Sequence, residues 1–243
     1  MMHITLQNNS PFSPSLHLTK QKPGNMKLKF IMLLIIGSTM FSNAQSPARK
    51  NHLGAWTYHQ KNVNINGLSV GAFSEQGDDR TGQNVHTNGI KIEALGLGIL
   101  LPLIPTDPIP TTEKEFRALM SHPVSEQING LNLSASGTVC DCLTNGISAG
   151  FIGQFTRQVN GISVSLFGNL AQKHNGVQLA LFFNESYAIN GFQIALSGNS
   201  GKRVRGLQIG LFNESDDLKG VQLGLWNKNQ KRKMPLINWN FKG

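Results

Sequence analysis

From Asn66 onward, apolar and polar residues alternate in short phrases that open on a glycine. Aligned on that glycine, the phrases read NGLSVGAF at Gly67, NGIKIEAL at Gly89, NGLNLSAS at Gly130, NGISAGFI at Gly146, NGISVSLF at Gly161, NGVQLALF at Gly176, NGFQIALS at Gly191, RGLQIGLF at Gly206 and KGVQLGLW at Gly220. The first, third and fifth residues after the glycine are apolar in every copy. The second is polar wherever the repeat is cleanest (Ser163, Gln178, Gln193, Gln208, Gln222), and the fourth is small in all copies but one, where Glu93 stands. A period of two predicts a strand with one apolar and one polar face. Asn169, Asn184, Asn199, Asn213 and Asn227, seven or eight residues after a glycine, are turn formers where a strand would end. A further apolar residue recurs two before the glycine (Ile65, Ile128, Val159, Ile189, Val204, Leu218).

From Gly130 to Gly220 the copies follow one another every 14 to 16 residues. Such an array predicts a stack of units, none able to bury its apolar face alone. The expected fold is all-β: a repeat-built β-solenoid of about nine units, with the three apolar positions turned into a narrow core and the Gln row outside. An antiparallel β-meander or a small β-barrel is the alternative. The barrel fits less well, because three alternating apolar residues cover at most ~20 Å of strand against the ~25 Å apolar band of an outer-membrane barrel. An open solenoid end needs blunting. The C-terminal run Lys228, Lys231, Arg232 and Lys233, followed by PLINWNF, supplies charge, Pro235 and the large apolar side chains Leu236, Trp239 and Phe241 for that task.

The start of the chain changes the charge balance. Met26 begins MKLKFIMLLIIGSTMFSNAQ, in which two lysines precede an apolar run from Phe30 to Phe41 and small residues at Ser42 and Ala44. This is the layout of a secretory signal peptide over residues 26–44, the run being too short for a permanent span. Residues 1–25 read as a misassigned upstream leader, and residues 45–243 as a single β-repeat domain. Four of the 22 Lys and Arg lie ahead of the cut and all 13 Asp and Glu after it, so the formal +9 falls to +5. That modest balance, scattered through polar turns, argues against a nucleic-acid partner.

One insertion interrupts the array, at about residues 96–127. It holds the apolar, Pro-rich GLGILLPLIPTDPIP and then TTEKEFRALMSH, where Thr112 and Glu115 form a capping-box pair ahead of a short amphipathic helix bearing Phe116, Leu119 and Met120. It is expected to fold over one end of the stack as a cap; contact with a membrane or a partner is the alternative. Cys140 and Cys142 are the only cysteines. On a straight strand they would lie ~6.6 Å apart, so a disulfide between them needs a turn at Asp141. The histidines after the cut (His52, His59, His86, His122, His174) are dispersed. Neither a metal site nor a Ser-His-Asp constellation is suggested by spacing, and no cofactor is implied.

The GLQIGLFN and GVQLGLWN units, the Asn-Gly openings and the closing PLINW resemble the surface-repeat-containing proteins of Gram-negative bacteria, over roughly residues 66–241. The resemblance implies export to the cell surface, outer membrane or periplasm, and no catalytic residues. The expectation is a non-enzymatic repeat protein with a structural or binding role. The row Gln178, Gln193, Gln208 and Gln222 is its candidate binding surface for an envelope glycan or protein. A small outer-membrane barrel acting as pore or anchor is the second expectation.

Overall fold

Glycine sits on glycine throughout the stack. In the computed structural model, which describes residues 48–74, 83–103 and 109–242, eleven strands follow one another in a single sheet in chain order. They are β1 (Lys50–Thr57), β2 (Val63–Gly71), β3 (Val85–Glu93), β4 (Glu126–Ser134), β5 (Val139–Gly150), β6 (Gly153–Ser165), β7 (Gly168–Ala180), β8 (Phe183–Ala195), β9 (Gly198–Ile209), β10 (Phe212–Lys228) and β11 (Lys233–Asn240). The described residues fall in the compact unit Pro47–Gly243. The upstream leader and the signal peptide lie outside the described residues.

β1 to β10 pair in parallel, and the register places Gly54, Gly67, Gly89, Gly130, Gly146, Gly161, Gly176, Gly191, Gly206 and Gly220 in one line. At Gly176 the reason is plain: φ is +131°, and a Cβ there would fall 2.0 Å from the carbonyl oxygen of Gly161. Only glycine tolerates both the conformation and the approach. The turns between strands stack as well, with Leu181 N, Leu196 N and Leu211 N each donating to the carbonyl of the turn one coil earlier at 3.0–3.1 Å. The molecule is therefore a β-solenoid of about eleven turns. Parallel in-register coils replace the antiparallel meander and the barrel, and the count exceeds the expected nine. One added unit is β1, whose Gly54 is a tenth aligned glycine in the unlike phrase HLGAWTY. The other, β11, is no repeat: it turns back and pairs antiparallel with β10, Trp239 opposite Val221 and Ile237 opposite Leu223.

The coil interior corrects the expected assignment of faces. Gln178, Gln193, Gln208 and Gln222 are 0% exposed. Ser69, Lys91, Asn132, Ser148 and Ser163, at the same repeat position, are also buried. The apolar residues two before the glycine share this interior: Ile65, Ile128, Val159, Ile189, Val204 and Leu218 are buried. The apolar residues one and three after it point outward. Ile162, Val164, Phe192 and Ile194, for example, remain 37–47% exposed although stacked against like neighbours.

Hydrogen bonding explains the inversion. Each inward amide meets its counterpart one coil away: Gln193 Nε2 donates to Gln178 Oε1, Gln208 Nε2 to Gln193 Oε1 and Gln222 Nε2 to Gln208 Oε1, each at 2.8 Å. Asn238 of β11 completes the row by donating to Gln222 Oε1 at 3.0 Å. A second inner row runs through Asn169, Asn184, Asn199, Asn213 and Asn227 with donor–acceptor distances of 2.8–3.0 Å. Its members also reach across the coil to backbone carbonyls, Asn169 to Leu179 O at 2.7 Å and Asn199 to Ile209 O at 2.8 Å. Buried amides are acceptable when paired in this way, and an aliphatic side chain at these positions would forfeit the bonds. Period two fixes which residues share a face. The carbonyls and amides across the coil decide which face is inside.

The insertion folds differently from the expected end cap. A 3-10 turn (Gly98–Leu103) and helix α1 (Glu113–Ser121) lie beside the stack, where Leu101, Ile109 and Phe116 form one buried cluster with Leu170, Tyr187 and Ala188 of β7 and β8. The capping box at Thr112 and Glu115 is present as read. Phe116 stacks on Tyr187 with ring centroids 4.2 Å apart, and Glu113 accepts from Tyr187 Oη at 2.8 Å and pairs with Arg203. The insertion thus clasps the segments that precede the glycines of three middle coils, and leaves the strands after them uncovered.

Candidate interaction face

The residues one, three and five after each glycine make the most continuous surface feature of the described chain. They form three apolar ladders through β2–β10 and their turns, aliphatic but for Phe151 and Phe192, and none of these positions carries a charge in any copy. Trp239 and Ile237, opposite Val221 and Leu223, carry the face onto β11 and are 44% and 48% exposed. Ten strands at ~4.8 Å spacing and about five residues of width give a patch on the order of 700–900 Å². The largest apolar patch on a typical monomer is about 300–600 Å². Phe73, Phe182, Phe212 and Trp226, six after the glycine, edge the face along the turns and are exposed. Along the other margin stands a neutral row, Asn66, Asn88, Asn129, Asn145, Asn160, Asn175 and Asn190, each amide donating to the preceding one at 2.7–2.9 Å. Ile92, Leu133, Phe151, Val164 and Leu166 line a shallow groove in the face of about 640 Å³.

The four glutamines proposed from the sequence as a binding surface are interior, and this corrects that reading. Gln193, Gln208 and Gln222 spend their amides on the neighbouring glutamine and on backbone carbonyls, Gln178 at the end of the row keeps an unpaired Nε2, and all four are fully enclosed, so none is open to a ligand. Cys140 and Cys142 are joined by a disulfide with their Cα atoms 5.3 Å apart. The required turn is a bulge: the pairing of β5 with β6 skips a residue between Cys140 and Leu143. Both cysteines are buried against Ile128, and the bridge pins the bulge.

Sequence reasoning missed one polar cluster. Where Ser, Asn or Gln occupies the later coils, β3 carries Lys91, whose Nζ donates to Glu126 Oε2 and Ser74 Oγ, both at 2.6 Å, and lies 4.4 Å from the centroid of the Tyr58 ring. Glu93 accepts from Thr138 Oγ1 at 2.7 Å. Burial raises the Glu126 carboxyl above its usual range, against the pull of Lys91, and burial together with Glu93 and Glu126 raises the Tyr58 phenol. Tyr58, Lys91, Glu93 and Glu126 are all buried, so the cluster offers no open position to a reacting molecule. The signal was Glu93, the one large residue at a position otherwise small, with Lys91 two residues earlier. Among the described residues no group of three or more His, Cys, Asp or Glu is placed to hold a metal ion. His174 is enclosed among Val159 and Ile189, its Nε2 3.1 Å from Ser163 Oγ, and burial lowers its pKa to about 3.

Among the described residues no helix is long and apolar enough to cross a membrane. Comparison with protein-family models, with curated proteins and with solved structures finds no match, so the molecule's own surface carries the functional reading.

Proposed function

We propose that the chain is a non-enzymatic, exported repeat protein of the Gram-negative envelope, and that its aliphatic face is a rigid surface for contact with an apolar partner. The observation that carries the reading is the outward direction of the ladders: a fold able to satisfy amides inside has turned its charge-free residues to solvent across ten successive strands. Exposed apolar area on this scale marks an interaction site in a soluble chain. The partner envisaged at the glutamine row is accordingly reassigned to this face, which suits protein better than glycan. A pore finds less support, because the strand order runs linearly from β1 to β11 and the interior is filled by side chains.

Export is tested by expressing the gene with its own leader in a Gram-negative host, fractionating the cells and sequencing the recovered N-terminus. A processed start at Gln45 outside the cytoplasm is expected. Cytoplasmic protein retaining Met26 would refute it.

A further inference from the structure

We infer that the partner of the aliphatic face is a second copy of this chain, seated face to face and related by a two-fold axis that lies between the two sheets, parallel to the strands. The inference rests on the reading of that face as an interaction surface and names its occupant.

Area is the first argument. The face offers on the order of 700–900 Å², and a standard interface takes ~800 Å² from each partner. Fit is the second. Because every coil is in register with the next, equivalent side chains such as Val164, Leu179, Ile194 and Ile209 repeat as ridges one strand spacing apart. A surface with the same pitch meshes with those ridges along its whole length, and another copy of the chain has that pitch. Two sheets packed in this way sit ~10 Å apart, as in a β-sandwich. Charge is the third argument. An anionic lipid surface would be met by Lys and Arg along the margins, but the margin before the glycine is Asn in seven successive copies, Asn66 to Asn190, already bonded into a row. The two basic residues that continue this margin, Arg205 and Lys219, stand at one end of the stack, and a two-fold along the strands sets them against the neutral Asn66 end of the other copy, so the margins approach without like charges meeting. The insertion is no obstacle, since it clasps the segments before the glycines. A two-fold arrangement also closes on itself, so each face is consumed and no filament results.

The experiment is sedimentation velocity on the processed chain, purified without detergent, at ~1–50 μM, the range in which interfaces of this size begin to associate. The wild type is expected to sediment as a dimer. Ile194→Lys, which places a charge at the centre of the face, should abolish the dimer, and Ile194→Thr, which only trims it, should weaken dimerisation about tenfold. Both should leave the far-ultraviolet circular dichroism unchanged. Flotation with phosphatidylcholine vesicles is run alongside. A monomeric wild type that floats, with Ile194→Lys failing to float, would overturn the second copy while keeping the face as an interaction surface. A monomeric wild type that does not float would sink both readings. Association untouched by either Ile194 variant, or growing without limit, would place the contact at the open β1 edge and overturn the inference.

Discussion

Gln193 and Ile194 are adjacent in β8 and put the inversion of faces to a direct test. Gln193→Met keeps the length of a buried side chain and removes its amide. Gln208 Nε2 then loses its 2.8 Å acceptor and keeps only the 3.3 Å bond to Glu214 O. The Ser200 carbonyl loses a donor at 3.2 Å, whereas Gln178 Oε1 retains Ser186 Oγ at 3.0 Å. An orphaned buried polar group costs about 1–3 kcal/mol, and the change leaves one amide proton and one carbonyl lone pair wanting, so about 2–4 kcal/mol is expected. For a domain of this size that is ~5–15 °C in Tm. Ile194→Thr, on a side chain 37% exposed, removes little buried area and should cost under about 1 kcal/mol. Urea denaturation followed by circular dichroism, with midpoints taken across a dilution series, removes any contribution from association. If Ile194→Thr proved the more damaging of the two, the amide rows would not be the core.

Three further outcomes are expected. His174 is neutral when folded, with its pKa lowered by burial to about 3 against an ordinary 6.5. Stability from this group is therefore complete above about pH 6.5 and lost as pH falls towards about 3, amounting to about 3 kcal/mol by about pH 4. His174→Val, which restores the residue type found at Val159, should flatten that part of the pH profile of urea midpoints; an unchanged acid slope would show that His174 is not its source. Gly176→Ala should cost at least about 3 kcal/mol, since φ is +131° and the new methyl meets the Gly161 carbonyl, and a thermal midpoint within a degree or two of wild type would refute the line of glycines. Deleting Met234–Gly243 strips β11 from β10 and leaves Gln222 without its Asn238 donor. Circular dichroism should then report most of the β content while light scattering reports growing oligomers, and a truncated chain with unchanged scattering would mean that β11 is no cap.

Much of this architecture is legible in the residues, for reasons that also set the limit. The glycine spacing predicts the stack because in-register coils make each position meet its own kind, and Thr112 with Glu115 predicts the helix start because capping is local. Gly54 is not legible as a repeat because Leu53 and Trp56 stand where the other copies have polar residues, although the backbone need for glycine is unchanged. The inside could not be read from Gln208 and Ile209 alone. Apolar residues are inside when the interior is apolar on all sides, and here the interior is shared with backbone carbonyls and a facing row of Asn. That environment is made by residues well outside the strand's own alternation, such as Asn199, which bonds the Ile209 carbonyl from ten positions away, and Gln193, which meets Gln208 from 15. The insertion's place was hidden for the same reason: its anchor at Tyr187 lies 74 residues beyond Glu113.

The amide rows also give the stack a sense of direction. Along the glutamine row each side chain donates towards the N-terminal end, from Asn238 through Gln222, Gln208 and Gln193 to Gln178. Along the inner asparagine row the sense is opposite, from Asn169 through Asn184, Asn199 and Asn213 to Asn227. Two lines of dipoles lying side by side in opposite senses largely cancel, so a long interior of buried amides accumulates little field along its axis. Within one row no member can turn over by itself, because a reversed amide would set donor against donor on one side and acceptor against acceptor on the other. Each row is thus a single switch with many contacts, frozen unless all of it moves, and a coil joined in the reverse sense would find no matching partner. β11 does run in reverse, and there the stack stops: Asn238 supplies the last strand's donor, and its own Oδ1 is taken by Asn229 and Arg232 of the closing turn rather than by another coil.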